Sequence, residues 1–381
     1  MSKLYNSFTE VATNLSNYFI NSSNNISLPQ AHNLAYCAIG AIQANSIITS
    51  KISVNFKGIL SQNKPDSNIK RVKRFFNNSI FNMNNFFHDF ISNVLNNYKV
   101  KHRDNNIFIS FDHSYNKDDF TSIVFSLKIG KQSIPVWFRC FKGTNDKEAF
   151  SLDTIKKGIT FIHNLLSSRY NIIFLADRWF NEPAILKYID SLGDIFCIRS
   201  KTNTLIKLNK SNKFISLSDI KPRKHSSKLL NDVLYTQKEQ VKLNIAISAS
   251  KNTDDPWYIL TNASPSFAIK YYGKRYGAIE FLFKSQKTNG FNLEDTTASN
   301  LTSFRNMFGT TCVAIVWMFV LGADYVKNKH HYKYNLYDIR RTGGKIIRVI
   351  SLFTIGMTIF KHAYFSEVNH RLKYNFILYD V

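Results

Sequence analysis

The feature that most constrains this chain is a succession of apolar runs between residues 107 and 176. IFISF (107–111), TSIVFSLKI (121–129) and IPVWFRCF (134–141) are followed by LDTIKKGITFIHNLLSSRY and then IIFLA (172–176). The first three are rich in β-branched and aromatic residues, and Gly130-Lys131-Gln132 joins the last two of them like a hairpin loop. The fourth segment carries its apolar residues at helix spacing, and the fifth, apolar throughout, predicts a strand buried on both faces of a sheet. The order strand, strand, strand, helix, strand predicts an α/β domain. After Asp177, Asn181-Glu182-Pro183 supplies a capping residue and an early proline for the helix AILKYIDSL, and DIFCIRS (194–200) predicts a further strand.

The flanking segments have other textures. Residues 1–97 show helical patterns without strand alternation and predict a separate N-terminal helical domain. Residues 98–200 hold the first part of the α/β core. From 201 to 256 come short β-like pieces, TLIKL, KFISLSDI and VKLNIAIS, which predict a β-rich insertion. Trp257-Tyr258-Ile259-Leu260 then resumes a strand, and Pro265 opens a helical pattern running to about Lys287, so that 257–325 form the second part of the core. Residues 326–381 predict a basic helical C-terminal region. The most apolar stretch, TTCVAIVWMFVLGA, is shorter than the roughly 20 residues a membrane span needs and predicts a buried core helix.

Charge narrows the function classes. Fifty basic residues against 26 acidic ones give a formal charge of +24, and the bases recur in every segment instead of clustering beside one apolar run. That distribution points to nucleic acid and away from a membrane surface. Within the N-terminal domain, Lys70, Arg71, Lys73 and Arg74 lie on one short predicted helix opened by Pro65-Asp66-Ser67-Asn68. Contact with a phosphate backbone and a simple solvated face account for it equally well. The N-terminal stretch MSKLYNSFTEVATNLSNYF lacks the apolar run of a signal peptide, which predicts a cytosolic protein. Cys37, Cys140, Cys197 and Cys312 have no CxxC spacing and are expected to be reduced core residues; adjacent His330 and His331 do not suggest a zinc site.

Three acids stand out. Asp112 follows the first apolar strand and Asp177 follows the buried run IIFLA, and ends of neighbouring strands in an α/β sheet open onto a shared crevice. A lone aspartate after a strand is more commonly a turn residue. Glu280 lies in AIKYYGKRYGAIEFLFKSQK among Ile279, Phe281, Leu282 and Phe283, with Lys284 and Lys287 on its face at helix spacing. A surface Glu–Lys pair is the plain reading, but apolar neighbours predict burial, and a buried acid needs a partner or a metal. Trp179 and Trp257 are expected in the core, with stacking on DNA bases as the other reading.

Together these segments resemble the DDE transposases of bacterial insertion sequences, in particular the group with a Y-x2-R-x3-E-x6-K signature and a β insertion domain. Tyr272, Arg275, Glu280 and Lys287 carry the signature. FLADRWF (174–180) resembles the second-aspartate motif and FISFDHS (108–114) the first. One departure is visible: four residues separate Arg275 from Glu280 where the pattern has three. On a continuous helix Tyr276 shares the Glu280 face and Arg275 does not, unless a π-bulge absorbs the extra residue. Asp118 and Asp119 are the alternatives to Asp112.

The resemblance implies a ribonuclease H-like catalytic core interrupted by the insertion, with Asp112, Asp177 and Glu280 binding two Mg2+ or Mn2+ ions. It implies endonuclease cleavage at transposon ends and transfer of the freed 3′-OH strands into target DNA. Arg178, Tyr272, Arg275, Lys284 and Lys287 would contact DNA, and the protein would act as a homodimer on double-stranded DNA, in the bacterial cytoplasm with the nucleoid. The competing readings are a related metal-dependent nuclease without strand transfer and a catalytically decayed, transposase-derived DNA-binding protein.

Overall fold

A computed structural model describes residues 2–58, 64–98, 104–223, 226–249, 256–288, 290–296, 298–328, 339–342, 345–348, 350–365 and 376–378. Five helices, α1 (Ser2–Ser22), α2 (Leu28–Ala44), α3 (Thr49–Val54), α4 (Pro65–Phe76) and α5 (Met83–Asn96), precede the first strand. The first α/β stretch comprises β1 (Asn106–Asn116), β2 (Phe120–Ile129), β3 (Gln132–Lys142), α6 (Leu152–Leu166), β4 (Asn171–Ala176), α7 (Pro183–Ser191) and β5 (Ile195–Arg199). Then come β6 (Leu205–Lys207), β7 (Phe214–Ser216), β8 (Ser227–Tyr235), β9 (Val241–Ser248), β10 (Trp257–Thr261), α8 (Pro265–Tyr272) and α9 (Ile279–Gln286). The chain continues through α10 (Leu301–Lys327), β11 (Ile339–Thr342), β12 (Lys345–Arg348) and α11 (Leu352–Phe365). His330 and His331 lie outside the described residues.

β1 to β10 form a single mixed sheet in the order β3-β2-β1-β4-β5-β10-β9-β8-β6-β7. β1 runs parallel to β4 and β4 parallel to β5, while β2 is antiparallel to both β1 and β3. Local chemistry explains the β2–β3 hairpin: the two-residue turn after β2 places Gly130 at φ +58°, a conformation that costs a residue without Cβ little. α6 is the crossover between β3 and β4. It packs on the face that bears Phe111, Phe125 and Trp137, and Gly158 lets the Phe125 ring lie against its backbone where a Cβ would collide.

The opposite face of β1–β3 carries Asp112, Val124 and Phe138. Phe138 packs against Phe87 of α5 and Phe308 of α10 at ring-centroid distances of 5.1 and 5.0 Å. α10 is 27 residues long, well beyond the apolar stretch from which its length was predicted. The polar residues Arg305 and Asn306 mask its first turns in the sequence, but Asn300 caps them by accepting from Ser303 N. By length and composition alone the helix could cross a membrane; here its apolar window is buried inside the protein. A helix that is apolar all round needs neighbours on every side. Accordingly α2, α4, α5, β3 and α11 surround it, and α11 crosses it closely at Gly322 and Gly356, where a Cβ would meet the other helix's backbone.

Three expectations about organisation change. The N-terminal helices share one contiguous apolar core with the sheet, α10 and α11, so they have no separate core. The β-rich insertion is present, but β6–β9 are not a module apart: β9 pairs antiparallel with β10 and extends the same sheet. The C-terminal region is not wholly helical either, because the β11–β12 hairpin precedes α11.

Candidate active site: three acids around one arginine

Asp112 does not end its strand. β1 continues to Asn116 on its β2 side, and Asp112 pairs there with Val124. On the other side the parallel ladder with β4 stops at Ser110↔Leu175. Asp112 and Asp177 each lie two residues further along, in the same register, where the two strands part. The parting follows from Asp177 itself. Its Oδ1 accepts from Trp179 N at 2.8 Å and caps a 3-10 turn, Arg178–Phe180, that carries the chain away from the sheet. Asp112 Oδ1 likewise accepts from His113 N at 2.9 Å. Each aspartate spends one oxygen on local backbone and presents the other to the crevice. Asp118 and Asp119 are exposed in the β1–β2 turn, away from this crevice.

Glu280 reaches the same place from a different element. The segment predicted as one helix from Pro265 to Lys287 is broken. α8 ends at Tyr272, Gly273–Arg275 form a 3-10 turn, Tyr276 is extended and Gly277 takes φ +75° before α9 begins at Ile279. Glu280 Oε2 accepts from Gly277 N at 2.7 Å, closing the break from inside the first turn of α9. This corrects the helical-face expectation. The extra residue between Arg275 and Glu280 is absorbed by a glycine-centred break and not by a π-bulge, and the break brings Arg275 to Glu280. Tyr276 instead stacks on Trp257, at 5.1 Å between ring centroids. Glu280 is also less buried than its neighbours implied, with 42% of its side chain exposed, although Ile279 and Leu282 are buried and Phe281 and Phe283 pack against the core.

Arg275 unites the three acids. Its Nη2 donates to Asp112 Oδ2 at 2.6 Å and lies 4.0 Å from Asp177 Oδ2, and its Nη1 lies 3.8 Å from Glu280 Oε1. The guanidinium is 8% exposed, against 24% and 27% for the two aspartates. One cation therefore faces three carboxylates. Burial is the main cause that pushes the Asp112 carboxyl up to about 6; Asp177 and Glu280 add to it, while Arg275 and the His113 N–H oppose it. Burial alone would lower the Arg275 pKa, but the surrounding acids outweigh it and raise it.

Chemically, three carboxylates with an excess of negative charge suit hard divalent cations. Among the described residues, no group of three His, Cys, Asp or Glu side chains sits closely enough to hold one ion as placed. Carboxylate oxygens are the donor chemistry such ions take, but the guanidinium lies between the donors.

The remaining predicted residues divide. Arg178 and Lys284 are exposed. Lys287 turns away from the acids, donating to Tyr115 O at 2.9 Å and pairing with Glu294 at 2.7 Å, so it anchors the far end of β1. Tyr272 is fully buried and has no surface to offer DNA; its hydroxyl donates to Ala176 O at 3.3 Å, directly before Asp177. In α4, Lys70, Lys73 and Arg74 are exposed, whereas Arg71 is tied to α2, its Nε donating to Asn33 Oδ1 at 2.6 Å and its guanidinium lying over the Tyr36 ring. Trp179, expected in the core, is 70% exposed beside Asp177, with Lys201 Nζ 5.5 Å from its ring centroid. Trp257 is half-buried against Tyr272 and Tyr276. The four cysteines are buried and free.

Sequence reasoning missed three groups near the acids. Lys128 of β2 shares the Asp112 face and has its pKa lowered by burial and by Lys274, against the pull of Glu280. Lys274 lies over the Phe108 ring at 4.0 Å. The exposed Tyr115 phenol has its pKa raised by partial burial and by the charges of Asp112 and Asp177. The alternation of β1 and β2 carries the signal for Lys128: it is in phase with Val124, the partner of Asp112.

No protein-family model matches this chain, and no curated protein matches it. Among solved structures, the chain is similar to the piggyBac transposase in its synaptic complex with hairpin DNA. That likeness has a TM-score of 0.46 and 10% identity, over 98% of this chain and 83% of the other. A likeness of that degree supplies no residue correspondence, and the site stands on its own geometry.

Proposed function

We propose that this chain is a DNA transposase that cleaves the ends of a mobile element and transfers the 3′-OH strands into target DNA. Asp112, Asp177 and Glu280 are its metal-binding acids. The observation that carries the proposal is the convergence of these three carboxylates, from β1, the end of β4 and the start of α9, on one buried cation. The order β3-β2-β1-β4-β5, with β2 alone reversed, supports reading this half of the sheet as a ribonuclease H-like core. The +24 charge supports a DNA partner.

In this reading Asp112, Asp177 and Glu280 would hold two Mg2+ or Mn2+ ions, which would supply Lewis-acid activation of the nucleophile and stabilisation of the leaving oxygen. The protein's own residues do the rest. Tyr272, through the Ala176 carbonyl, fixes the strand end that aims Asp177. Lys287 fixes β1 beyond Asp112. Exposed Arg178, Lys284 and Lys201 offer positive charge to phosphates around the crevice, and exposed Trp179 offers a ring on which a base can stack. Lys70, Lys73 and Arg74 of α4 form a second basic face for duplex backbone. Two ends must be held for coordinated cutting, so the DNA complex is expected to contain a homodimer.

The guanidinium between the acids also favours a second reading, a transposase-derived protein that binds DNA without cutting it. One experiment separates the readings: Mg2+-dependent cleavage and joining of linear DNA carrying the sequences that flank the gene, by the intact protein and by Asp177→Ala. Cleavage and strand transfer by the intact protein alone support the proposal. Cleavage without joining makes it a nuclease, and equal products from both proteins refute the active-site assignment.

A further inference from the structure

Arg275 is an unusual component for a cation site, and its surroundings show how it is held. Its guanidinium has a carboxylate oxygen from each of three separate elements within 4.0 Å, so it stands where charge balance calls for cations. Its hold is uneven. Only the Asp112 contact is a close hydrogen bond, the other two are long, and the buried Nε has no hydrogen-bond partner. A buried donor left unpaired costs about 1–3 kcal/mol, and the guanidinium is held besides by the Tyr276 ring, whose centroid lies 5.7 Å away.

The backbone carrying it is equally distinctive. Arg275 closes a three-residue 3-10 turn between Gly273 and Gly277. Open space surrounds both glycines at the Cβ position, and Gly277 sits at φ +75°. The strands that carry Asp112 and Asp177 are, in contrast, tied by sheet ladders and a capped turn. Within this cluster the arginine has one close hydrogen bond, to Asp112, and two longer contacts.

We propose that Arg275 is a resident stand-in for the metal. Its guanidinium balances the three acids while no divalent cation is bound and must leave them for ions to load, which frees it to hold a DNA phosphate at the same crevice. The inference rests on the reading of Asp112, Asp177 and Glu280 as metal ligands. It reverses the usual expectation for a residue inside an active site, because removing Arg275 should improve metal binding.

The test is Mn2+ binding to the full chain without DNA, followed by titration calorimetry and by the electron paramagnetic resonance signal of free Mn2+, for wild type, Arg275→Met, Arg275→Gln and Asp177→Asn. Removing the cation that competes with metal for the three carboxylates is expected to tighten Mn2+ about tenfold or more in both arginine variants. Without divalent ions those variants should melt below wild type, and millimolar Mg2+ or Mn2+ should close the gap. Unchanged or weaker Mn2+ binding in both arginine variants, with binding abolished by Asp177→Asn, overturns the stand-in role and leaves the metal-ligand reading intact. No Mn2+ binding in any protein overturns both. If the arginine variants fold poorly without ions, recovery of a cooperative melt on adding Mn2+ supports the proposal and failure to recover refutes it.

Discussion

Asp112 should cost the protein stability at neutral pH, and replacing it should return that stability while removing the chemistry. Its carboxyl is raised from 3.8 to about 6, with burial as the first cause, opposed by Arg275 and aided by Asp177 and Glu280. Because the folded-state value is the higher one, the folded protein binds more protons than the unfolded chain between the two values. Stability therefore falls as pH rises from about 4 to about 6, and the full penalty persists above that. At about 1.4 kcal/mol per unit, a rise of this size amounts to about 3 kcal/mol. The side chain is only 24% exposed, so solvent screening removes little of it. Asp112→Asn abolishes the penalty but replaces the charged acceptor facing Arg275 with a neutral amide, an offset of about 1 kcal/mol.

The expected net gain is about 2 kcal/mol at pH 7.5, shrinking to nothing or reversing near pH 4. Urea unfolding of both proteins in a chelator, at half-unit steps of pH, reads it directly. Taking the difference between the two proteins matters, because the buried His88 and His113 titrate in the opposite sense and bend both curves alike. A variant less stable than wild type at pH 7.5, or a difference that does not change between pH 4 and 6.5, would refute the account of Asp112 as a carboxylate made costly chiefly by burial. Excess Mg2+ should then erase much of the wild-type deficit, since bound cations supply the charge that one guanidinium does not.

Three further outcomes are expected. His88 lies against the Phe161 ring, with its Nε2 buried and unpartnered, and burial lowers its pKa to about 4; wild type should lose stability as pH falls from about 6.5 towards 4, and His88→Phe should remove up to about 3 kcal/mol of that loss in acid unfolding curves. Tyr272→Phe deletes the bond to Ala176 O and should cost about 1 kcal/mol in urea unfolding, with DNA cleavage reduced more than DNA binding, as gel-shift and product assays on the same preparation would show. Trp179→Ala should leave the melting temperature unchanged, the ring being 70% exposed, but weaken binding of DNA carrying the gene's flanks by about 1–3 kcal/mol if the ring stacks on a base; fluorescence anisotropy with labelled DNA checks it.

The parts of this fold legible in the sequence are those governed by short-range periodicity. IIFLA could only be a doubly buried strand, and the hairpin at Gly130 announces itself by residue type. The meeting of Asp112 and Asp177 was legible in outline, although its cause is a shared register in the β1–β4 ladder, a property of two strands at once. What stayed hidden depends on long-range partners or on a single backbone angle. AIKYYGKRYGAIEFLFKSQK reads as one helix because its apolar residues recur at helix spacing, and the break at Gly273–Gly277, with Gly277 at φ +75°, converts a misfitting Arg275 spacing into the geometry that joins the acids. Tyr272 reads as a surface aromatic because its burial comes from β4 and Trp257, far away in sequence. The β-rich insertion reads as a module because nothing local states that β9 pairs with β10. A motif spacing that departs by one residue is thus weak evidence of decay when a glycine lies inside it. The departure is better read as a backbone break, whose consequence can be sought in which side chain the break turns inward.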